Sequence, residues 1–300
     1  MSITLKQLQV FICIAQEKTI TSAATKLFIS KPAVSMALAE LEKQLGHNLF
    51  ERRKNRLIIN EQGKLLLPLA DEQIERSKVI NNLFSQQNNL STKLRIGASN
   101  TIGNNVAPSL LAAFIAETGQ KKQSLLIDNT NYISSLLKEY ELDIGLVEAN
   151  TFDSELHSSR WLEDEMLIVC SPQHPLRLKQ KVSLNDLEDQ QWILRETGSG
   201  TREFFLKNIG DKLKRYDVSF ELNSTEAIIN CTSLGLGITC ISKLSACHAL
   251  KDNRLAQLHL ADNLNINMRR QYWLISHKEK YQSPLLKQFI EFAQQWQLEN

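Results

Sequence analysis

Apolar residues recur at spacings of three and four through the first sixty positions, the period of helices with one buried face. Ala23, Ala24 and Leu27 form one stripe, and Val34, Leu38, Leu41 and Leu45 form the next. An apolar run at 10–15 sits inside an earlier amphipathic helix. Ser30 is placed to cap the later helix, with Pro32 in its first turn, where a missing N–H costs nothing. Gly46 ends it, and Lys31, Ser35 and Met36 fall opposite its apolar stripe. Leu57, Ile58 and Ile59 then suit a short strand. From Gly63 to about Asn89 the only helix breaker is Pro68, and Leu66, Ala70, Ile74, Ile80 and Phe84 keep a roughly helical spacing. At about 1.5 Å per residue that helix would extend on the order of 40 Å. Its stripe is thin and its other faces polar, so alone it would be marginal in water, and a partner helix is expected. The polar stretch 85–93 marks a domain boundary.

Beyond Leu94 the pattern changes to short apolar runs alternating with amphipathic helices. Strands are expected at 94–98, 125–127, 143–147, 166–170, 192–194, 218–222, 237–241 and 272–275. Helices are expected at 106–117, 132–140 and 284–298, with others opening at Thr201 and Thr225. Such alternation predicts an open, mostly parallel sheet with helices on both faces, binding ligands beyond the C-terminal ends of its strands.

Charge sharpens this picture at the N-terminal end. Residues 1–90 carry 12 Lys and Arg against 8 Asp and Glu, and the remainder carries 23 against 25. Arg52, Arg53, Lys54 and Arg56 put four cations into five positions directly after the helix pair. A basic run is ordinarily a solvated face. Beside two helices joined by a tight turn, a basic strand–turn–strand instead sets cations against DNA phosphates, which supply affinity without reading sequence. Ser30, Lys31, Pro32, Ser35 and Met36 would then enter the major groove, with Arg52, Arg53 and Arg56 on the backbone. Five scattered cysteines without a C-x-x-C pair argue against a disulfide framework and a zinc site, and read as core thiols in a reducing cytoplasm. The run at 10–15 is too short to span a membrane, so a cytoplasmic protein is expected.

Two loops concentrate binding chemistry. Ser99, Asn100, Thr101 and Asn104 follow the 94–98 strand, and Thr197, Ser199, Thr201 and Arg202 surround Gly198 and Gly200. Each opens a helix, where free N–H groups and the macrodipole favour an anion. Ordinary turn and cap chemistry is the plainer explanation for either loop, but the same design appears twice. Catalytic patterns are absent. Gly97 and Gly103 lack phosphate-loop spacing, Gly198-Ser-Gly200 lacks the frame of a nucleophile elbow, and no His-Glu-x-x-His occurs. Neither a catalytic nor a metal site is expected.

The N-terminal signature resembles that of LysR-type transcriptional regulators. It comprises Leu5 to Phe11, the Ala23-Ala24 pair, Ser30-Lys-Pro-Ala-Val-Ser35, Leu41-Glu42, Gly46 to Phe50 with Arg52, and Asn60 to Gly63. Lys31 and Met36 depart from the residues common there, so the operator cannot be copied from a relative. The resemblance implies an α/β chain with an all-α winged helix-turn-helix N-terminal domain over 1–60 and a linker and dimerisation helix over 61–90. A two-lobe, periplasmic-binding-protein-like effector domain would follow over 91–300, with 93–165 and 270–300 in one lobe and 166–269 in the other. Ala98 to Asn104, Asp143 to Gly145 with Glu148, Trp161 to Glu165, Trp192 to Glu196 and Gly198 to Glu203 are similar to the branch that regulates sulfite reduction and sulfur assimilation. By that likeness Ser99, Asn100, Thr101, Ser199, Thr201 and Arg202 would face a small oxoanion such as sulfite or sulfate, with Glu148 also at the cleft. A carboxylate there favours a protonated anion such as bisulfite, or a ligand with its own donor. The implied partners are double-stranded DNA, the effector, RNA polymerase and further copies of the chain, as homodimer or homotetramer; no cofactor, metal or membrane is implied. Competing readings are the same kind of regulator answering to a different anion or organic acid, a solute-binding protein or transferase without regulatory role, and a regulator whose second domain binds no ligand.

Overall fold

The computed structural model describes residues 2–83, 93–121, 123–149 and 153–298. Three helices, α1 (Leu5–Glu17), α2 (Ile20–Leu27) and α3 (Lys31–Leu45), precede a hairpin of β1 (Phe50–Arg53) and β2 (Arg56–Ile59). Each helix opens on a side-chain cap. Thr4 and Gln7 form a capping box, Thr19 accepts from the Ser22 N–H, and Ser30 accepts from the Ala33 N–H. Lys18, Phe28 and Gly46 end the three in the left-handed conformation. Phe11, Ile14, Ala23, Val34, Leu41 and Leu49 pack into one core. The hairpin pairs Phe50 with Ile59 through to Arg53 with Arg56, turning at Lys54 and Asn55.

α4 (Glu61–Leu83) runs unbroken through Pro68. It buries Leu67, Ala70 and Ile74 and exposes Leu65, Leu69, Ile80 and Leu83. Residues 84–92, which hold the expected end of this helix and most of the polar boundary, lie outside the described residues.

The rest of the chain builds β3 (Leu94–Ser99), α5 (Asn100–Asn105), α6 (Ala107–Thr118), β4 (Gln123–Asp128), α7 (Thr130–Lys138) and β5 (Ile144–Val147). Next come β6 (Leu156–Cys170), α8 (Leu184–Glu188), β7 (Gln191–Arg195), α9 (Gly200–Asn208), β8 (Asp217–Leu222) and α10 (Thr225–Ser233). β9 (Thr239–Ser242), α11 (Lys243–Lys251), β10 (Ala256–Leu258), β11 (Arg269–His277) and α12 (Pro284–Gln295) complete it. Cores around Ile96, Phe114, Tyr272 and Phe289, and around Ile133, Leu137 and Ile275, make one lobe. Cores around Trp192, Phe205 and Cys240, and around Ile193, Ile228 and Ile241, make the other.

The sheet is mixed, not mostly parallel as the alternation suggested. β3 pairs in parallel with β4 and β5, but β11 is antiparallel to β5 and β6, and β6 is antiparallel to β9 and β10; β7 and β8 pair in parallel in a sheet of their own. The cause is the passage between lobes. β6 pairs with β11 over 156–165, then continues into the second lobe and pairs with β9 and β10 from Met166 onward. Only 166–170 of this 15-residue strand was expected, because its first part carries Arg160, Glu163, Asp164 and Glu165 in place of an apolar run.

The N-terminal head rests on the first lobe at the turn after α7. Tyr140 is buried in the core of the head, Gln16 Nε2 donates to its carbonyl at 3.3 Å, and Lys18 pairs with Glu139 at 2.7 Å. α4 is tied to the same place by a buried ionic knot. Lys280 Nζ lies 2.8 Å from Asp71 and 3.1 Å from Asp143, and Arg95 closes on Asp143. Burial pushes the Asp143 carboxyl up, but Lys280 and Arg95 outweigh it and hold it at about 2.

Candidate functional site

Two regions carry the residues singled out in the sequence. On α3, Lys31, Pro32, Ser35 and Met36 are exposed on one side of the helix, with exposed Ser30 at its start. Arg52, Arg53 and Arg56 stand exposed on the adjoining hairpin. Arg53 is 3.1 Å from Glu51, a solvent-exposed pair that contributes little and leaves the side chain available.

The second region lies between the lobes, at the C-terminal ends of β3 and β5. Glu148, just past β5, is almost completely buried. Its carboxylate accepts from the Thr101 backbone N–H at 2.8 Å, from the Thr201 hydroxyl at 2.8 Å and from Arg270 Nη1 at 3.0 Å. Arg270 also donates to Asp164 at 2.7 Å, to the Thr201 oxygen at 3.0 Å and to the Thr101 oxygen at 3.3 Å, and lies over the Tyr272 ring. Burial pushes the Glu148 carboxyl up, but Arg270 and the two threonines outweigh it and hold it at about 2. The same carboxylates keep the buried Arg270 firmly protonated against burial.

Glycine makes this close approach possible. A side chain at Gly200 would sit 2.9 Å from Glu148 Cβ and 3.2 Å from Thr130 Oγ1, and Gly198, at φ +91°, faces Asn129 and Asn131. The Asn131 N–H donates to the Gly198 carbonyl at 3.2 Å, so the lobes meet through backbone as well.

Thr101, Glu148 and Thr201 are therefore gathered in one seam; Ser99 and Ser199, which precede the helices carrying the two threonines, are buried as well, and Asn100 is half-buried beside Thr101. The first expected loop is in fact a short helix, α5. Arg202 is not part of the cluster. Its Nη1 donates to Glu221 and to the Arg195 carbonyl, on the strands of the second lobe, because Thr201 takes the inward position at the start of α9. The cation at the centre is Arg270, which the sequence reading did not single out. Its partners stand 122 and 106 residues away, and nothing local marks it. Thr130 was missed too; its oxygen and that of Ser99 are buried and find no hydrogen-bond partner among the described residues.

Two cavities lie between the lobes. One of about 390 Å³ is lined by Asn100, Asn104 and Asn105 across from Ser224, Thr225 and Ser245. The other, about 540 Å³, is lined by Thr130, Glu148, Gly200, Lys207 and Trp273 among others. Among the described residues no group of three or more His, Cys, Asp or Glu could hold a metal, and no helix is long and apolar enough to cross a membrane. Burial pushes the Cys170 thiol up to about 11 and Cys240 up to about 12, as expected of core thiols and not of reactive ones.

Residues 5–64 match the model of the bacterial regulatory helix-turn-helix protein, lysR family, and residues 87–297 match the LysR substrate binding domain. The chain belongs to the LysR family. It is 35% identical to the uncharacterized HTH-type transcriptional regulator YeiE of Escherichia coli (strain K12), over 98% of each chain. It is 29% identical to the HTH-type transcriptional regulator CysL of Bacillus subtilis, over 93% of this chain and 98% of that one. A full-length OxyR variant from Pseudomonas aeruginosa shares the fold, with a TM-score of 0.74 at 19% identity, covering 98% of this chain and 96% of that one. The chain is thus a DNA-binding transcriptional regulator with an effector-binding domain, and not an enzyme. Regulators of this family bind DNA and small-molecule effectors and form oligomers.

Proposed function

We propose that this LysR-type regulator works in the cytoplasm as a homodimer or homotetramer. In this reading it senses a small, sulfur-related oxoanion between its lobes and passes that state to promoter DNA and RNA polymerase. The observation that carries the reading is the pair of buried hydroxyls of Ser99 and Thr130, near the C-terminal ends of β3 and β4, that find no partner among the described residues. A buried hydroxyl without a partner costs about 1–3 kcal/mol, which a ligand accepting from it would recover. The sulfur assignment rests on the likeness of the cleft segments to regulators of sulfite reduction and sulfur assimilation.

The charge of the seam narrows the ligand. Arg270 faces two carboxylates, Glu148 and Asp164, and Glu148 already occupies the donors of Thr101 and Thr201. A dianion would be repelled by that net negative charge; an oxoanion carrying a proton is repelled less and can donate to a carboxylate. Calorimetry with sulfite, sulfate, thiosulfate and phosphate is expected to give the tightest binding to one of the sulfur anions, tightening as the pH falls and the anion takes up a proton. Hydrogen bonds to charged groups contribute roughly 1.5–3 kcal/mol, so Ser99→Ala and Thr130→Val should each weaken binding about ten- to a hundredfold. No heat from any of the four anions would sink the oxoanion while leaving the regulator intact. A second reading, an organic acid, is favoured by the cavities of about 390 and 540 Å³, which exceed what a four- or five-atom ion needs. A parallel titration with small carboxylic acids separates the two.

On the DNA side, Ser30, Lys31, Pro32, Ser35 and Met36 enter the major groove, and Arg52, Arg53 and Arg56 hold the phosphates. Arg53→Ala should weaken operator and unrelated duplex alike and lower the slope of log affinity against log salt by about one. An altered sequence preference at constant affinity would refute the assignment of the hairpin.

A further inference from the structure

The exposed side of α3 carries a lysine toward each end and an apolar residue at its centre. Its exposed residues are Lys31, Pro32, Ser35, Met36, Ala39 and Lys43. No Arg, Asn or Gln is exposed on this helix, so the pairing of Asn or Gln with adenine is not available from it, and only Lys31 and Lys43 among its exposed side chains could reach a guanine edge. Met36 is 72% exposed in the middle of that side. Pro32 precedes it by four residues and Ala39 follows by three, so the three form a continuous apolar strip along the helix. Lys31 and Ser35 stand beside the strip, on the part of the helix that a helix-turn-helix turns toward bases.

The major groove offers one apolar base-edge group, the 5-methyl of thymine. Methionine, unbranched and polarizable, can follow such a group across small changes in docking. A single exposed apolar residue is ordinary elsewhere on a surface. Here it holds the centre of the reading face, where polar readers would otherwise stand. We propose that Met36 selects thymine through its 5-methyl group, with Pro32 and Ala39 extending the apolar contact. The inference depends on α3 being the DNA-reading helix, as assigned above.

The test uses the full chain and a duplex that it selects from a randomised library. Each thymine of the selected half-site is replaced in turn by deoxyuridine, which lacks only the 5-methyl. Removing one buried methyl contact is expected to weaken the wild-type protein about three- to fivefold at one or two thymines. Met36→Ala should lose a similar factor on the unmodified duplex and become indifferent to uracil at those same positions. Met36→Gln, selected afresh, should move the preference there from thymine to adenine, whose N6 and N7 a glutamine can bridge. Met36 is exposed, so both variants should keep the wild-type melting temperature. The proposal is overturned if wild type ignores uracil at every position, or if Met36→Ala keeps every uracil penalty. Lys31→Ala and Ser35→Ala distinguish the deeper failure. If they too leave the selected sequence unchanged, α3 is not the reading helix at all.

Discussion

Arg270→Ala is expected to destabilise the effector domain by roughly 3–5 kcal/mol at neutral pH, the usual cost of removing one partner from a buried ion pair. The side chain is 4% exposed and touches Glu148, Asp164, Thr101 and Thr201, so its loss strands two carboxylates within the seam. The pH dependence follows from Glu148. In the wild type its carboxyl sits at about 2 against an ordinary 4.5, so its contribution is present above 4.5 and is lost as the pH falls through 2. Without Arg270, burial dominates and raises the carboxyl, so protonation relieves the variant. Urea denaturation at several pH values should therefore show the gap between variant and wild type narrowing from pH 7 toward pH 4. A gap independent of pH would mean that Arg270 acts through packing and not through charge. Arg270→Lys should recover only part of the loss, since one ammonium cannot reproduce a fork that reaches Asp164, Glu148 and both threonines.

Arg270 also marks where the sequence stopped being legible. Elements fixed by neighbours in the chain could be read from it. Ser30, Pro32 and Gly46 bound α3, and the hydroxyls and glycines at 197–201 announced a helix start. The central charge cluster could not be read that way. Asp164 and Arg270 come from strands far apart in the chain and Glu148 from the turn after a third, and nothing beside any one of them points to the other two. The direction of Arg202 depends on which face of α9 meets the other lobe, and helical period alone does not supply that. For the same reason the first part of β6 was missed, its polar residues being satisfied by partners on β11 and not announced by its own pattern.

Lys280→Ala is expected to loosen the junction of head, α4 and effector domain, again at a cost of roughly 3–5 kcal/mol for a stranded buried pair. Lys280 is 2% exposed and bridges Asp71 of α4 to Asp143 at the start of β5, with its ammonium 5.5 Å from the Tyr140 ring. The two carboxylates differ. Asp143 keeps Arg95 and stays a firm anion, whereas burial already pushes Asp71 up despite Lys280. Asp71→Asn in the Lys280→Ala background should therefore recover part of the stability, since it removes the less supported charge. Strictly additive losses in the double variant would show that the two residues do not act as a pair. Hydrogen exchange should localise the damage to α4 and the turn at Tyr140, leaving β9 protected as in wild type. The position of this knot gives the effect functional weight. α7 begins at Thr130 in the seam and, about 13 Å later at 1.5 Å per residue, ends at the turn that touches α1 and α4. A change in lobe closure that moves the start of α7 can reach the head through that far end, which Lys280 and Arg95 together hold to α4.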